Sequence, residues 1–321
     1  MFREKALVFE KKDRPFDLEK WLSKELPAQY ETKAKILNRN GLLEILPEAG
    51  EKGIVSIDGE ECPFPDLEAI IEAIESNELY RNKLEQGFTE LEITPFGLPL
   101  ETIAKTVEKA IVRHYKEGKL FSARKNPGGS TEQPTPLELD ENQPVYQWEG
   151  YKTADLDGRL VYYPKEFSNN HGGRTKAELL KQAEGRAFKG YNVFLREPNP
   201  NIPREGRGET KGGRKQLETN KQIKEYLRLI KTGEEYRGED GLTPEDRLTM
   251  LLTHLEKTDE AIDDYSGNGS ISFQVGTYFP SDGGVPNSYW DRGDRRLNLY
   301  RSDPDNRNSN FGAASGVRIE A

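Results

Sequence analysis

A chain of 321 residues, 34% apolar and 32% charged, is long enough for two domains or one large one and for a sizeable core. Its net charge of −9 divides as −4 over residues 1–125 and −5 over 126–321, so no basic half is present to follow a phosphate backbone, and a nucleic-acid partner is excluded. The single cysteine, Cys62, rules out a disulfide framework and a multi-cysteine zinc site, and no apolar run reaches the roughly 20 residues of a membrane span.

The first residues, MFREKALVFEKKDRPFD, carry charge without a long apolar core, so no secretory signal is expected. Ala6–Phe9 and Gly53–Ile57 suit short strands, and Asp58-Gly59 marks a hairpin turn. A helix is predicted over Phe64–Glu85, with Leu67, Ile70, Ile71 and Ile74 on one face. Another spans Leu100–Lys116 on Ile103, Val107 and Ile111, with His114 near its C-terminus, where a cation suits the helix dipole. These elements describe a small α+β domain over residues 1–121, of no assigned role. Pro, Gly, Ser and Thr then cluster without an apolar period, and residues 122–143 read as a linker.

The second domain is placed at 144–321. Val145–Tyr151 and Arg159–Tyr163 read as strands, Arg174–Phe188 as helix, and Gly190–Arg196 as strand. A loop follows, then a helix over Thr219–Ile230 capped by Thr219. The next helix has strong start signals: Thr243 as N-cap, Pro244 at the first position, and Glu245 and Asp246 in the first turn. Leu248, Leu251, Leu252 and Leu255 form its expected buried stripe. Ser270–Phe279 and Ser315–Ile319 complete the strands. The expected fold class is α+β.

Little in this order carries chemistry. Gly208–Lys215 imitates a phosphate loop but sets its lysine and hydroxyl out of place, so nucleotide binding is not expected. Asp259, Glu260, Asp263 and Asp264 lack the alternation and glycine of a calcium loop and read as a solvated helix end. Three scattered histidines, His114, His171 and His254, make neither a zinc site nor a hydrolase triad. No catalytic residue, metal or cofactor is expected.

The informative stretch is Asn287–Phe311, NSYWDRGDRRLNLYRSDPDNRNSNF. Asn, Asp, Ser, Tyr and Arg dominate it, and Lys, Glu, Gln and Met are missing from Val275 to Ile319. Tyr, Trp, Arg, Ser, Asn and Gly are the residues of binding paratopes, giving contact area and adaptable hydrogen bonds at low entropic cost. The genetic code supplies a second filter. Replacing adenines in Asn codons yields Asp, Ser, Tyr, Gly, Arg, Leu, Phe and others, but not Lys, Glu, Gln, Met or Trp. Only Trp290 departs from that set, so it is expected to be fixed.

The run YFPSDGGVPNSYWDRGDRRLNLY followed by DPDNRNSNFGAASGVRI resembles the C-terminal variable region of diversity-generating-retroelement variable proteins, in their archaeal and virus-borne branch. Val145–Tyr151, Asn201-Ile-Pro, Thr243-Pro-Glu-Asp, Ile262-Asp-Asp-Tyr and Gly316-Val-Arg extend the likeness over residues 144–321. The resemblance implies a C-type-lectin-like fold of the formylglycine-generating-enzyme type, with variable region 287–311. It implies a binding protein, virion-associated or surface-displayed, whose partner is a macromolecular ligand such as a protein or cell-surface target. Enzymatic relatives use reactive cysteines in this domain, and here it has none. Display positions are assigned to Asn287, Ser288, Tyr289, Asp291, Gly293, Asn298, Tyr300, Arg301, Ser302, Asp303, Asn306, Asn308, Ser309 and Asn310. Trp290, Leu297, Leu299, Pro304, Gly312 and Val317 are assigned to the scaffold. The alternative is a calcium-dependent carbohydrate-binding lectin, with Asp291, Asp294, Asp303 and Asp305 as its only carboxylates there.

Overall fold

In the computed structural model, which describes residues 16–123, 133–267 and 269–320, helices and several sheets give the α+β class. The strand expected at Ala6–Phe9 lies outside the described residues. The chain begins with α1 (Leu18–Lys20), whose N-cap Asp17 accepts from the Lys20 amide. A π-type turn, Trp21–Glu25, leads into α2 (Leu26–Arg39). Strands β1 (Glu44–Ile45), β2 (Lys52–Val55) and β3 (Glu61–Pro63) form an antiparallel meander, turning at Asp58-Gly59 as expected. The helix predicted over 64–85 is two helices, α3 (Leu67–Ser76) and α4 (Glu78–Glu85). Asn77 adopts an extended backbone between them, and its side chain caps the second through the Leu79 amide. Strand β4 (Glu90–Thr94) and helix α5 (Leu100–Lys116) follow.

Further along lie β5 (Val145–Gln147), β6 (Val161–Tyr162), α6 (Lys176–Gln182), β7 (Asn192–Arg196), β8 (Thr210–Lys211) and β9 (Arg214–Lys215). Next come α7 (Ile223–Thr232), β10 (Asp240–Gly241), α8 (Pro244–Thr258), β11 (Ile271–Phe273) and β12 (Thr277–Tyr278). The last strands are β13 (Val285–Asp291), β14 (Arg296–Ser302), β15 (Phe311–Ala313) and β16 (Ser315–Arg318). The phosphate-loop imitation is the β8–β9 hairpin. Helix α7 starts at Ile223 rather than after Thr219, with Glu225 accepting from the Gln222 amide.

The division into two separate domains needs correcting. Strand β4 pairs antiparallel with β7 along Glu90↔Arg196 to Thr94↔Asn192, inside a four-stranded sheet of order β10-β16-β7-β4. A single hydrophobic cluster runs from Trp21 to Ile319. Residues 133–143, assigned to a linker, are anchored too: Leu137 and Leu139 are buried, and the Leu137 amide donates to the Leu120 carbonyl. The apolar edges of the two regions complete one another, which composition alone does not reveal.

Helix α8 is the hub. Thr243 and Asp246 form the expected capping box, but the helix is buried on nearly every side rather than along one stripe. Buried polar groups need partners, and Glu245, Asp246, Arg247 and Thr253 find theirs elsewhere in the fold. Glu245 meets Lys176 and the Tyr162 hydroxyl at 2.8 and 2.6 Å. Asp246 accepts from Asn192 at 2.9 Å, and Thr253 donates to Glu92, which also holds Lys33 of α2. Asp155 clips the regions together again, accepting from the Leu100 amide at the start of α5 and from Lys176. Among the described residues, no helix is long and apolar enough to cross a membrane.

Candidate ligand-binding face

The stretch that composition marks as a display loop is mostly a β-hairpin. β13 and β14 pair antiparallel from Val285↔Ser302 to Asp291↔Arg296, within a five-stranded sheet of order β15-β11-β13-β14-β5. Strand alternation sorts its side chains. Ser288, Trp290, Leu297 and Leu299 share the inward face, and Trp290 is only 1% exposed. Asn287, Tyr289, Asp291, Arg296, Asn298 and Tyr300 share the other.

Beneath the inward face lies a charge network that the sequence reading took for a solvated helix end. Asp263 and Asp264 are fully buried. Arg247 donates from Nε to Asp263 Oδ2 at 2.8 Å and from Nη2 to Oδ1, and Ser288 Oγ donates to the same carboxylate at 3.2 Å. Burial pushes the Asp263 pKa up, opposed by Arg247 and Ser288. Asp264 holds Arg292 through a two-point contact at 2.8 and 2.5 Å. The Trp290 amide donates to the Asp263 carbonyl at 2.9 Å, tying the hairpin to this network by main chain. Asp263 has a left-handed backbone, φ +62°, a conformation Asp tolerates better than most residues.

The outward face is covered in part. Phe273, paired with Asn287 on neighbouring β11, and Val285 belong to a second cluster completed by Ile223, Tyr226 and Ile230 of α7. Three nominated display positions are not on the surface, and for Asn287 that cover is the reason. Asn287 is 1% exposed and Asn298 3%, and Ser288, also at 3%, faces inward. These three assignments are corrected: Asn287 donates to Ser302 Oγ at 3.2 Å, and Ser288 Oγ lies 3.1 Å from Gln274 Nε2.

The face opens at Tyr300, which stands opposite Asn287 in the ladder, and again at the hairpin turn. Tyr300 is 39% exposed and its ring sits 6.5 Å from those of Tyr146 and Trp148. Arg296 lies over Tyr146 at 4.8 Å and Arg301 over Trp148 at 5.1 Å. Tyr289 is half-buried edge-on to Tyr265, and burial with nearby Asp291 pushes its pKa up to about 12. Gly293 is exposed in the hairpin turn, where Asp291 accepts its amide. Tyr146, Tyr265, Arg292 and Arg296 were not nominated. Tyr146 could have been found, because alternation along Val145-Tyr-Gln-Trp pairs it with Asn298 once β5 joins the sheet beside β14.

Residues 303–310 continue the surface by another means. Their main chain caps the first turn of α7: the Lys224 amide donates to the Pro304 carbonyl, the Ile223 amide to that of Asn306, and Gln222 Nε2 to that of Asp305. Those helix amides would otherwise lack partners. Asp303, Asn306, Asn308 and Ser309 have exposed side chains and Ser302 is half-buried, whereas Asn310 accepts from Arg204 at 2.6 Å. Of the expected scaffold, Leu297, Leu299, Gly312 and Val317 are buried and Pro304 is half-buried. Gly312 packs against Ile202 so closely that a Cβ there would stand 2.8 Å from it.

The four carboxylates of the lectin alternative are engaged locally. Asp291 accepts turn amides, Asp294 pairs with Arg296, Asp303 accepts the Asp305 amide, and Asp305 meets Lys224. Among the described residues no group of three or more His, Cys, Asp or Glu side chains is arranged to hold a metal ion. Comparisons with protein-family models, curated proteins and solved structures found no match.

Proposed function

We propose that this chain is a binding protein whose ligand face is built from the outward side of the β13–β14 hairpin and the 303–310 loop, diversified by a retroelement. One observation carries the reading. The segment's backbone is fixed by contacts indifferent to its outward side chains, namely the hairpin ladder and the main-chain cap on α7. Tyr300, Asn306 and Ser309 can then change without unmaking the frame, since surface changes away from caps and cores usually move stability by about 0.5 kcal/mol; Tyr289 on Tyr265, and Asp291, Asp303 and Asn308 as acceptors of turn amides, cost somewhat more. The chemistry is that of a paratope: exposed Tyr300, with half-buried Tyr289 and Arg301 beside it, supplies the candidate energetic centres, because interface energy concentrates in such side chains. The partner in this reading is a protein or other macromolecule at a cell surface, and residues 144–321 are the C-type-lectin-like part.

A library randomised at Tyr289, Tyr300, Asp303, Asn306, Asn308 and Ser309 tests it. Most members are expected to stay folded by protease resistance, and selection on an arbitrary panel of purified proteins should yield specific binders. General unfolding of the library, or folded members that never acquire a specific binder, would sink the reading.

A further inference from the structure

Far from the hairpin tip in the topology, β7 and β16 pair beside α6, leaving a cavity of about 350 Å³ that no part of the display reading uses. Ligand sites in proteins typically begin near 300 Å³, with apolar walls and a few converging polar groups. This cavity has both. Phe96, Leu180, Phe188 and Ile319 supply buried apolar wall, with Leu179 and Ala183 half-buried beside them.

Three arginines converge on the same space. Arg318 stacks on the Tyr163 ring at 4.3 Å and is steered by Asp246 at 3.3 Å and Asp240 at 3.8 Å. Its Nε is buried and faces Asp240 without a hydrogen bond, so this arginine is a fixed wall of the cavity. Arg174 is held by the neutral amide of Gln182 rather than by a carboxylate. Arg186 stands 4.0 Å from Glu320, and both are largely exposed. Asp240 and Asp246 attend Arg318 and Glu320 attends Arg186, which leaves Arg174 as the cation whose partner is neutral. A cation without its own carboxylate at the mouth of an apolar cavity suits a single negative head on an apolar body.

We infer that the cavity between α6 and the β7–β16 edge binds a small carboxylate with an apolar body, its carboxylate received by the exposed Arg174 and Arg186. An aliphatic acid and an aryl acid share that chemistry, and the test separates them.

Octanoate, 3-phenylpropionate, octanamide and orthophosphate are titrated into the full chain by calorimetry. At least one acid is expected to bind one-to-one, tenfold or more tightly than octanamide or orthophosphate, and the better acid identifies the body. Ala183→Trp, which fills the space, should weaken that acid at least tenfold with an unchanged melting temperature. Arg174→Gln with Arg186→Gln, both at exposed positions, should weaken it severalfold and decides the matter where the tryptophan variant fails to fold. The proposal is overturned if neither acid binds at millimolar concentration, if octanamide binds as well as octanoate, or if binding survives both sets of substitutions.

Discussion

Replacing Trp290 by Ala separates frame from display face. The indole is 1% exposed on the inward side of β13, and its Nε1 has no hydrogen-bond partner, so truncation removes packing and little else. Its main-chain donation to Asp263 survives in the variant. A buried aromatic of this size covers roughly 200 Å², which at about 25 cal/mol/Å² is roughly 5 kcal/mol. Large-to-small changes at such sites cost about 3–5 kcal/mol once partial collapse is allowed. Unfolding entropy near 2.1 cal/mol/K per residue over 321 residues gives roughly 0.7 kcal/mol/K, so the melting temperature should drop about 4–7 °C. Tyr289, Tyr300, Asn306 and Asn308 replaced together by Ala should move it less than Trp290→Ala does, since Tyr300 and Asn306 are exposed while Tyr289 gives up only its edge contact with Tyr265 and Asn308 one turn amide. Thermal and urea denaturation of both variants beside the parent measure this. A Trp290→Ala variant within about 1 kcal/mol of the parent, or a fourfold variant that falls further than it, refutes the assignment of faces.

Acid should weaken the fold through His254. Burial foremost, then Arg196, Lys257, Lys33 and Arg247 around it, hold its pKa down to about 3. An unfolded imidazole protonates below about 6.5, so the unfolded chain binds more protons in between and stability falls with pH, at up to about 1.4 kcal/mol per pH unit. His254→Gln should flatten urea-derived stability between pH 6.5 and 4.5, leaving a smaller slope from His114, whose pKa burial also lowers; an unchanged slope counts against this. Fragments 1–121 and 144–321 expressed alone should each fail to show cooperative unfolding, because β4 and β7 share a sheet and Asp155 clips α5. Co-expression should recover a complex, and two independently cooperative fragments would restore the two-domain division.

What could be read in advance was what local chemistry dictates. The α8 start was legible because Thr243, Pro244 and Asp246 act within one turn, and α5 because its apolar period runs unbroken. The Asp58-Gly59 turn was legible for the same reason. Helix α2 was passed over: its apolar face is weak, and Lys33 is buried in it only because Glu92, from another element, accepts its charge. The acidic run at 259–264 looked solvated because its cation, Arg247, sits back in α8 and its second, Arg292, lies in the hairpin turn. The face itself was half legible. Composition marked the segment, but only sheet register separates Trp290 from Tyr289, and only the cover from α7 explains why Asn287 is hidden while Asn308 is not.

That hidden asparagine bears directly on diversification. The codon filter that produces Tyr, Ser or Gly from Asn produces Asp as readily, yet the consequence differs by position. At Asn308, exposed beside Ser309, a new carboxylate stays in water and should cost nearly nothing. At Asn287 the side chain is 1% exposed and its one hydrogen-bond partner is the neutral Ser302 hydroxyl. Burying a charge without a cation is expensive, and such a group raises its pKa and stays protonated instead. An acid with a raised folded pKa keeps its stability below the unfolded pKa near 4 and loses it as pH rises toward the folded value. Asn287→Asp should therefore be destabilised relative to the parent by a margin that grows from pH 5 to pH 8, while Asn308→Asp tracks the parent at both. Urea titrations at the two pH values decide it. A uniform loss would mean the residue acts through shape alone, and no loss at either pH would make Asn287 as free to vary as the exposed positions around it.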